Sequence, residues 1–311
     1  MRIPLQRRCP MRFGLTRKQL TPVPDGHRPS IGPALQQALA SELRRTLKRL
    51  ARLRIRPVDV HQSRVSVKRC RALAKLMLHE PTEVVAALDR TLRDANRALS
   101  AGRDAHVLND TLQLLAERGA LDLKFKRFSH PHDELKNAAA QASVQLEGAL
   151  ALLPSPAALA GLSVADAIEA LRRVYREGRQ RWRRAEKSGE DEDFHDVRKD
   201  TKALAYQLEW LAELLPLAER REDLVELGKL LGRDHDLVLA RIQIEAGAVA
   251  LPPETLATLD QIARKLLKKT RRRTRAVQQR CLAESSMDFA LRLQNALLES
   301  LLGPVAATPS S

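Results

Sequence analysis

The stretch FHDVRKDTKALAYQLEWL, residues 194–211, places a histidine, an arginine and a lysine at the spacing i, i+3 and i+7. On a helix with about 100° per residue, His195, Arg198 and Lys202 fall within roughly 60° of one another. The apolar residues of this stretch and the next turn lie on the opposite side: Val197, Leu204, Leu208, Leu211 and Leu215. The segment therefore predicts a helix with one core face and one face of concentrated positive charge.

The same spacing occurs in the first half of the chain, in VHQSRVSVKRCRALAKLM, residues 60–77. The two stretches align without a gap, and the counterparts of the three charged residues are His61, Arg64 and Lys68. Such a repeat predicts two related helices that present similar basic faces.

Two further matches accompany these helices in the same order. Upstream, four arginines recur at the spacing 0, 4, 7 and 11, as Arg45, Arg49, Arg52 and Arg56 and again as Arg172, Arg176, Arg179 and Arg183. On a helix each set would form a stripe within about 60° and roughly 16 Å long. Downstream, LSAGRDAHVL (99–108) parallels KLLGRDHDLVL (229–239), which aligns Arg103 with Arg233. Three motifs in the same order, twice, indicate an internal duplication.

The pattern along the chain predicts an all-α fold. From Pro33 onward helical periodicity is interrupted only by proline and glycine, and no run of alternating residues indicates a strand. The loop LLPSPAALAGL, residues 152–162, is the natural seam. We therefore expect a lead-in arm over residues 1–30, a first helical bundle over 31–153, a second over 154–303 and a tail over 304–311.

The cellular compartment is predicted from the absence of membrane-span and signal-peptide patterns in the sequence. No apolar run approaches the roughly 18 residues of a membrane span, and the basic N-terminus has no apolar core of a secretory signal. The cysteines, Cys9, Cys70 and Cys281, are far apart, which fits a reducing environment. We expect a cytoplasmic protein with no membrane span.

The charge balance predicts an anionic partner. The 311 residues contain 54 Lys and Arg against 38 Asp and Glu, a formal net charge of +16. An excess of this size favours polyanions or an anionic membrane surface. Aromatic residues make up only 3% of the chain, which disfavours the stacking platforms of proteins that bind single-stranded nucleic acid.

With these motifs in view, the chain resembles the CHAD family, the conserved histidine α-helical domain. The family signature is similar to HxxRxxxKxLRY followed by a glycine-arginine-aspartate turn, and the resemblance runs from about Met11 to Leu302 with both half-copies present. It implies two pseudo-symmetric helical bundles around a basic surface or channel, binding of inorganic polyphosphate, and association with polyphosphate granules. Members are often fused to a CYTH domain; no ExExK pattern occurs here, so we expect a stand-alone CHAD protein.

The chain departs from the family pattern at one step of the signature. Where the family continues with Arg-Tyr, the first half has Arg71 followed by Ala72 and the second has Ala205 followed by Tyr206. The first half also keeps Arg69 where the second has an alanine. We therefore expect the first-half face to contribute more to binding than the second.

The predicted polyphosphate-binding residues are cations and histidines of both halves. Arginine offers phosphate a planar fork, lysine a point charge, and histidine a donor that strengthens as it protonates below about pH 6.5. The set is Arg45, Arg49, Arg52, Arg56, His61, Arg64, Lys68, Arg71, Arg103, Arg172, Arg176, Arg179, Arg183, His195, Arg198, Lys199, Lys202 and Arg233.

The other candidate motifs have structural interpretations. Gly102 and Gly232 are expected to end helices, with Asp104 and Asp234 capping the next ones. The clusters at 130–134 and 234–236 resemble metal ligands, but neither has a second cluster at a recognised spacing, so no metal or cofactor is predicted. The basic run RKLLKKTRRRTR, residues 264–275, either extends the anion surface or is a solvated face.

The sequence thus predicts a polyphosphate-binding module and not an enzyme. The alternative is a basic nucleic-acid-binding helical protein, although no helix-turn-helix, RRM or OB signature occurs. A phosphoryl-transfer enzyme is less favoured, because the chain has no Walker loop and no carboxylate cluster for a metal beside the cations.

Overall fold

The computed structural model describes residues 14–20, 30–77, 83–122, 132–215 and 217–302, and within them the protein is helical with no β-strand. The ten α-helices of these residues are α1 (Gly32–Leu50), α2 (Pro57–Ala74), α3 (Glu83–Ala98), α4 (Ala101–Gly119), α5 (His132–Ala151), α6 (Val164–Ser188), α7 (Asp191–Trp210), α8 (Ala218–Glu245), α9 (Pro253–Cys281) and α10 (Ser286–Leu302). Short 3-10 turns occupy Arg17–Gln19 and Lys75–Met77. The predicted all-α class is confirmed.

The predicted core face of α7 is confirmed by burial. Val197, Leu204 and Leu208 of α7 are each at most 2% exposed, and so are Leu211 and Leu215, which follow the helix. Trp182 and Trp210 are also buried, in agreement with packing roles. Burial of such side chains contributes about 1.5–3 kcal/mol each, and it fixes which face of α7 remains for charged residues.

The helices form two groups that share one core. In the first, α1 packs on α2, α2 on α3, and α5 on both α3 and α1. In the second, α7 packs between α6 and α8, α9 packs on α8, and α10 on α6. One continuous cluster of buried apolar side chains runs through both groups, from Leu15 to Leu293. The internal duplication remains a hypothesis, and the domain boundaries remain predictions.

The two groups meet where α2 packs on α7. The buried Gln207 Nε2 donates a 2.8 Å hydrogen bond to the Ala72 carbonyl oxygen. Beside it, Arg69 lies 3.7 Å from a Glu209 carboxylate oxygen and over the Tyr206 ring, 5.5 Å from its centroid. A buried polar bond beside a half-buried ion pair fixes the register of the two helices.

Helix α4 contacts α2 and α5 of its own group but also reaches the other group. It packs on α8 and α9, and a second cluster of buried side chains forms there, including Leu112, Leu115, Leu237, Leu259 and Ala263. A helix of the first half therefore lies across the second half, and a cleft opens between α4, α7 and α8.

Two predictions about helix ends were wrong. Gly232 lies inside α8, and Asp234, two residues on, is a buried partner of Arg271 and not a cap. Gly102 is the second residue of α4 and does not end a helix. A glycine costs a helix only about 1 kcal/mol relative to alanine, so packing around it can keep the helix continuous.

The prediction that the first arginine stripe lies on one helix was also wrong. Helix α1 ends at Leu50, so Arg52 and Arg56 lie in the following loop. Because Arg56 precedes Pro57, the helical conformation is disfavoured there. Both arginines turn instead to Asp59 at the start of α2, whose carboxylate accepts from the Arg56 backbone N–H at 3.1 Å.

Candidate functional site

Helix α7 carries the histidine motif and begins at a sharp turn. Gly189 has a φ of 71°, a left-handed conformation that suits glycine, and this residue ends α6. Three acidic residues follow in the first turn of α7: Asp191, Glu192 and Asp193. Carboxylates stabilise a helix N-terminus, so the basic residues of the motif start one turn later, clear of the helix end.

A cleft of about 530 Å³ lies between α4, α7 and α8. Four of its lining residues are cations, Arg198 and Lys202 from α7 and Lys229 and Arg233 from α8. The carboxylates of Asp110 and Asp236 also line it, which leaves four positive against two negative charges. Apolar walls with an excess of one charge focus the electrostatic field, so the cleft is suited to an anion.

Two glycines of α8 make room for the cations of α7. A β-carbon on Gly228 would lie 3.6 Å from Lys202 Cγ, and one on Gly232 would lie 3.6 Å from Arg198 Nε. Gly228 and Gly232 are one turn apart, as are Arg198 and Lys202, so each cation lies against a position that has no side chain. The two helices thus hold the stems of both cations at the cleft wall.

The four cations differ in burial and pairing. Arg198 is only 6% exposed, and Lys202 is half-buried. Lys229 and Arg233 are exposed, and no residue in the described parts of the chain forms an ion pair with either. The cleft therefore combines two cations fixed by packing with two whose charged groups remain accessible to a ligand.

His195 lies one turn before Arg198 and against α8. Its ring packs on that of His235, with 4.4 Å between centroids. Its Nδ1 is buried and has no hydrogen-bond partner among the residues that the structure describes. Burial, and then the charges of Lys199 and Arg198, lower the pKa of His195 below its ordinary value of 6.5. This imidazole is therefore mainly neutral near physiological pH.

Lys199 lies on the exposed side of α7. Its ammonium group is 2.9 Å from an Asp196 oxygen and 3.7 Å from a Glu192 oxygen. It is not among the described lining residues of the cleft, so its binding role stays a prediction without support from geometry.

The corresponding face of the first half, on α2, lies outside this cleft. His61 is exposed, Arg64 is 7% exposed with a 3.4 Å bond from Nη1 to the Asn96 carbonyl oxygen, and Lys68 is half-buried. None of the three appears in the described lining of the cleft. Among the described residues, the α2 face therefore does not line the cleft that the α7 face lines.

Two further first-half candidates differ in what the structure shows. Arg71 donates from Nε and Nη2 to both carboxylate oxygens of Asp89, each at 3.0 Å, so its fork is occupied within the protein. Arg103 belongs to α4, but its side chain lies outside the described residues.

The remaining arginines of the first stripe contact their own neighbourhood. Arg45 lies 2.7 Å from a Glu42 oxygen, and Arg49 donates to Ser66 Oγ at 3.4 Å. Burial lowers the pKa of Arg49 below its ordinary value, although Arg49 stays cationic. Neither arginine lines the described cleft.

All four arginines of the second stripe do lie on α6. Arg172 pairs with Glu169 at 2.6 Å, and Arg179 donates to the Leu282 carbonyl oxygen at 3.0 Å, at the turn between α9 and α10. Arg176 and Arg183 are exposed. The stripe therefore borders the C-terminal helices and is absent from the described cleft lining.

Sequence reasoning missed Lys229. It lies four residues before Arg233, and two cations at that spacing share one helix face. That signal was available in KLLGRDHDLVL, but the expected helix end at Gly232 concealed it. Asp110 on α4 had no such signal, because only the tertiary contact of α4 with α8 places it in the cleft.

The described residues contain no group of three or more His, Cys, Asp or Glu that could hold a metal ion. No helix in these parts of the chain is long and apolar enough to cross a membrane.

The family model of the CHAD domain matches residues 34–245, from the first turn of α1 to the end of α8, and so covers all three helices that line the cleft. No curated protein and no solved structure shows significant similarity to the chain.

Proposed function

Because this chain belongs to the CHAD domain family, we propose that it binds inorganic polyphosphate in the cleft between α4, α7 and α8. The family is linked to polyphosphate binding in general. The observation that carries the proposal is the convergence of four cations from two helices in one cleft: Arg198, Lys202, Lys229 and Arg233.

The cation types suit a chain of bare phosphates. The exposed groups of Lys229 and Arg233 are accessible to phosphate oxygens, to which an arginine guanidinium offers parallel N–H donors. The buried Arg198 and the half-buried Lys202 add positive charge at the cleft wall. Arg198 and Lys202 are already ordered against the glycines of α8. Less side-chain entropy is therefore lost on binding than at a surface of free lysines.

The two carboxylates of the cleft have a separate effect. Asp110 and Asp236 reduce the mutual repulsion of the cations when no ligand is present. Asp110 lies on α4 and repels an anion beside that helix, so we expect the phosphate chain to run along the α7–α8 side.

The cleft binds polyphosphate without hydrolysing it. The described lining contains no serine, cysteine or histidine, so a nucleophile or base would have to come from Thr111, Tyr206 or the carboxylates of Asp110 and Asp236. Purified protein incubated with polyphosphate and Mg²⁺ should release no phosphate above background. Release that disappears in Arg198→Ala would support an enzyme instead.

In the cell, binding of this kind would place the protein in the cytoplasm at polyphosphate granules. A fluorescent fusion should collect at granules, and the Arg198→Ala plus Lys202→Ala variant should remain dispersed at equal expression. A parent fusion that stays dispersed in cells with granules would contradict the granule assignment.

The competing function is nucleic-acid binding, which the net charge of +16 also favours. Competition electrophoresis distinguishes the two functions. Labelled polyphosphate is bound to the protein and challenged with unlabelled DNA, and labelled DNA is challenged with unlabelled polyphosphate, at equal phosphate concentrations and physiological salt. The unpaired bases of single-stranded DNA need aromatic stacking partners, and the only aromatic side chain in the described cleft lining is Tyr206. We expect polyphosphate to displace DNA; equal or stronger binding of DNA would overturn the proposal.

A further inference from the structure

A second cluster of cations lies on α9, far along the chain from the cleft residues. Lys265, Lys268, Lys269 and Arg272 follow the spacing i, i+3, i+4 and i+7 and are all exposed. We call them the α9 stripe. At 1.5 Å per residue the stripe is about 10 Å long.

The α9 stripe faces away from the protein. The buried positions of α9, including Leu259, Ala263 and Leu267, pack in the small core with α4 and α8. At about 100° per residue, the centre of the stripe lies on the opposite side of the helix from these positions. The stripe therefore points away from α4 and α8, the helices that line the cleft.

The pairing of charges on α9 separates the stripe from its neighbours. Every other arginine of this helix contacts a carboxylate: Arg264 with Asp260, Arg271 with Asp234 and Asp191, Arg273 with Glu226, Arg275 with Glu186, and Arg280 with Asp223 and Glu226. In contrast, no residue in the described parts of the chain pairs with any cation of the α9 stripe.

An uncompensated cluster of this kind is unfavourable for the isolated protein. Like charges at i, i+3 and i, i+4 destabilise a helix, and the four stripe cations are all related by such spacings to at least one other. Nearby acids neutralise the other arginines of α9, yet within the described parts of the chain no acid pairs with the stripe. This arrangement suits a helix whose outer face is neutralised by a bound polyanion.

We propose that the α9 stripe is a second polyphosphate site, which holds a further length of a chain whose other part lies in the cleft. The inference rests on the proposed function, and it concerns residues outside the segment 34–245 that the family model matches. Lysines on flexible stems supply charge to phosphates without requiring bases or a fixed ligand shape.

Two sites on one protein make affinity depend on chain length. A long chain held in the cleft presents its remaining phosphates to the stripe at a high effective concentration, and the second contact adds affinity without a second association step. Tripolyphosphate has only three phosphates, so we expect it to occupy one site at a time and to report on the cleft.

The test compares a stripe variant with a charge-matched control. The stripe variant is Lys265→Gln, Lys268→Gln, Lys269→Gln and Arg272→Gln. The control also removes three lysines and one arginine, all exposed and each on a different helix: Lys48→Gln, Arg90→Gln, Lys136→Gln and Lys187→Gln. Kd for tripolyphosphate and for long-chain polyphosphate is measured at one salt concentration, with helicity checked by circular dichroism.

We expect the stripe variant to bind tripolyphosphate like the parent and to lose about tenfold or more of the affinity for the long chain. The control should keep most of that affinity. An equal loss in both variants, or none in the stripe variant, would show that the stripe is only a solvated face while polyphosphate binding by the cleft stands. A parent that binds neither polymer would overturn both proposals.

A different class of ligand gives a different pattern. If the stripe variant loses affinity for duplex DNA or for anionic phospholipid vesicles and keeps its affinity for long-chain polyphosphate, the stripe serves that other partner and the inference is wrong.

Discussion

Gly232 of α8 lies directly against Arg198 of α7: a β-carbon on Gly232 would be 3.6 Å from Arg198 Nε and 3.7 Å from Nη2. This is an ordinary van der Waals separation. One methyl group therefore fits beside the guanidinium, whereas a longer side chain needs the space that the guanidinium occupies.

We predict opposite effects for two substitutions at this position. Gly232→Ala should stabilise the protein by about 0.5–1 kcal/mol, because alanine is the better helix former, and should leave polyphosphate affinity unchanged. Gly232→Leu should displace Arg198 and weaken tripolyphosphate binding about tenfold, the loss expected for one charge-assisted contact. Urea unfolding and titration calorimetry measure the two quantities. Parent-like binding by Gly232→Leu would show that Arg198 need not be held in this position.

The same residue shows what the sequence could and could not predict. The periodicity of residues 194–215 predicted the helix, its core face and its basic face, because burial of apolar residues dominates that pattern. Glycine at 232 predicted a helix end, because propensity alone does not include the contact with Arg198. Packing of α8 against α7 keeps the helix continuous through Gly232, although glycine alone disfavours a helix there.

The side-chain partners of the arginines could likewise not be predicted from the sequence. The spacing of Arg52 and Arg56 agreed with a helical stripe, but Pro57 disfavours a helix at Arg56, and both arginines bond instead to the carboxylate of Asp59. The cleft itself depends on α4 packing across α8, a contact between residues more than a hundred positions apart. The motif identified Arg198, Lys202 and Arg233, while their grouping with Lys229 needed the fold.

The network around Arg271 predicts a large effect on stability. Its guanidinium donates to the Asp234 carboxylate at 2.8 Å, also contacts Asp191, and lies over the Phe194 ring, 4.4 Å from the centroid. Asp234 is buried, so Arg271→Ala leaves a carboxylate without its partner in a poorly solvated place. We expect a loss of about 3 kcal/mol in the free energy of unfolding. Arg273→Ala, which removes an exposed pair with Glu226, should cost less than about 1 kcal/mol.

The pH dependence of Arg271→Ala follows from the same carboxylate. Burial already raises the pKa of Asp234 above 3.8, although Arg271 opposes the shift. In the variant that opposition is gone, and the folded state holds the proton more tightly than the unfolded state. The stability loss should therefore be full at neutral pH and shrink as the pH falls toward 3.8. A loss that is constant with pH would place its origin in packing and not in charge.

His195 predicts how binding changes with pH. Its lowered pKa means that the free protein protonates it only below 6.5, and a bound phosphate chain favours the protonated form. Polyphosphate affinity should therefore rise as the pH falls below 6.5, and the rise should be smaller in His195→Gln. Equal profiles for the parent and His195→Gln would exclude a role for this imidazole.

Stability gives an independent measurement of the same shift. Because the unfolded chain binds the His195 proton at a higher pH than the folded protein does, the parent should lose stability as the pH falls through 6.5 toward the folded pKa. His195→Gln should lose less over that interval in urea unfolding.

A core substitution separates folding from binding. Leu208 is 2% exposed on the face of α7 opposite the cations. Leu208→Ala should reduce the free energy of unfolding by about 2–5 kcal/mol while the folded fraction binds like the parent. Leu208→Asp should abolish cooperative unfolding of the second group of helices. A stable, well-folded Leu208→Asp protein would contradict the assigned core.

The most direct test of the cleft is the salt dependence of long-chain polyphosphate affinity for two double variants. Each phosphate contact releases counterions, so removing one flattens the slope of log K against log salt by somewhat under one unit. The sequence alone favoured the first-half face, but the cleft contains Arg198 and Lys202 and its described lining lacks Arg64 and Lys68. We predict that Arg198→Ala plus Lys202→Ala lowers the affinity and flattens the slope more than Arg64→Ala plus Lys68→Ala, with helicity intact in both. A second-half variant with the parent's affinity and slope across the titration would contradict the account.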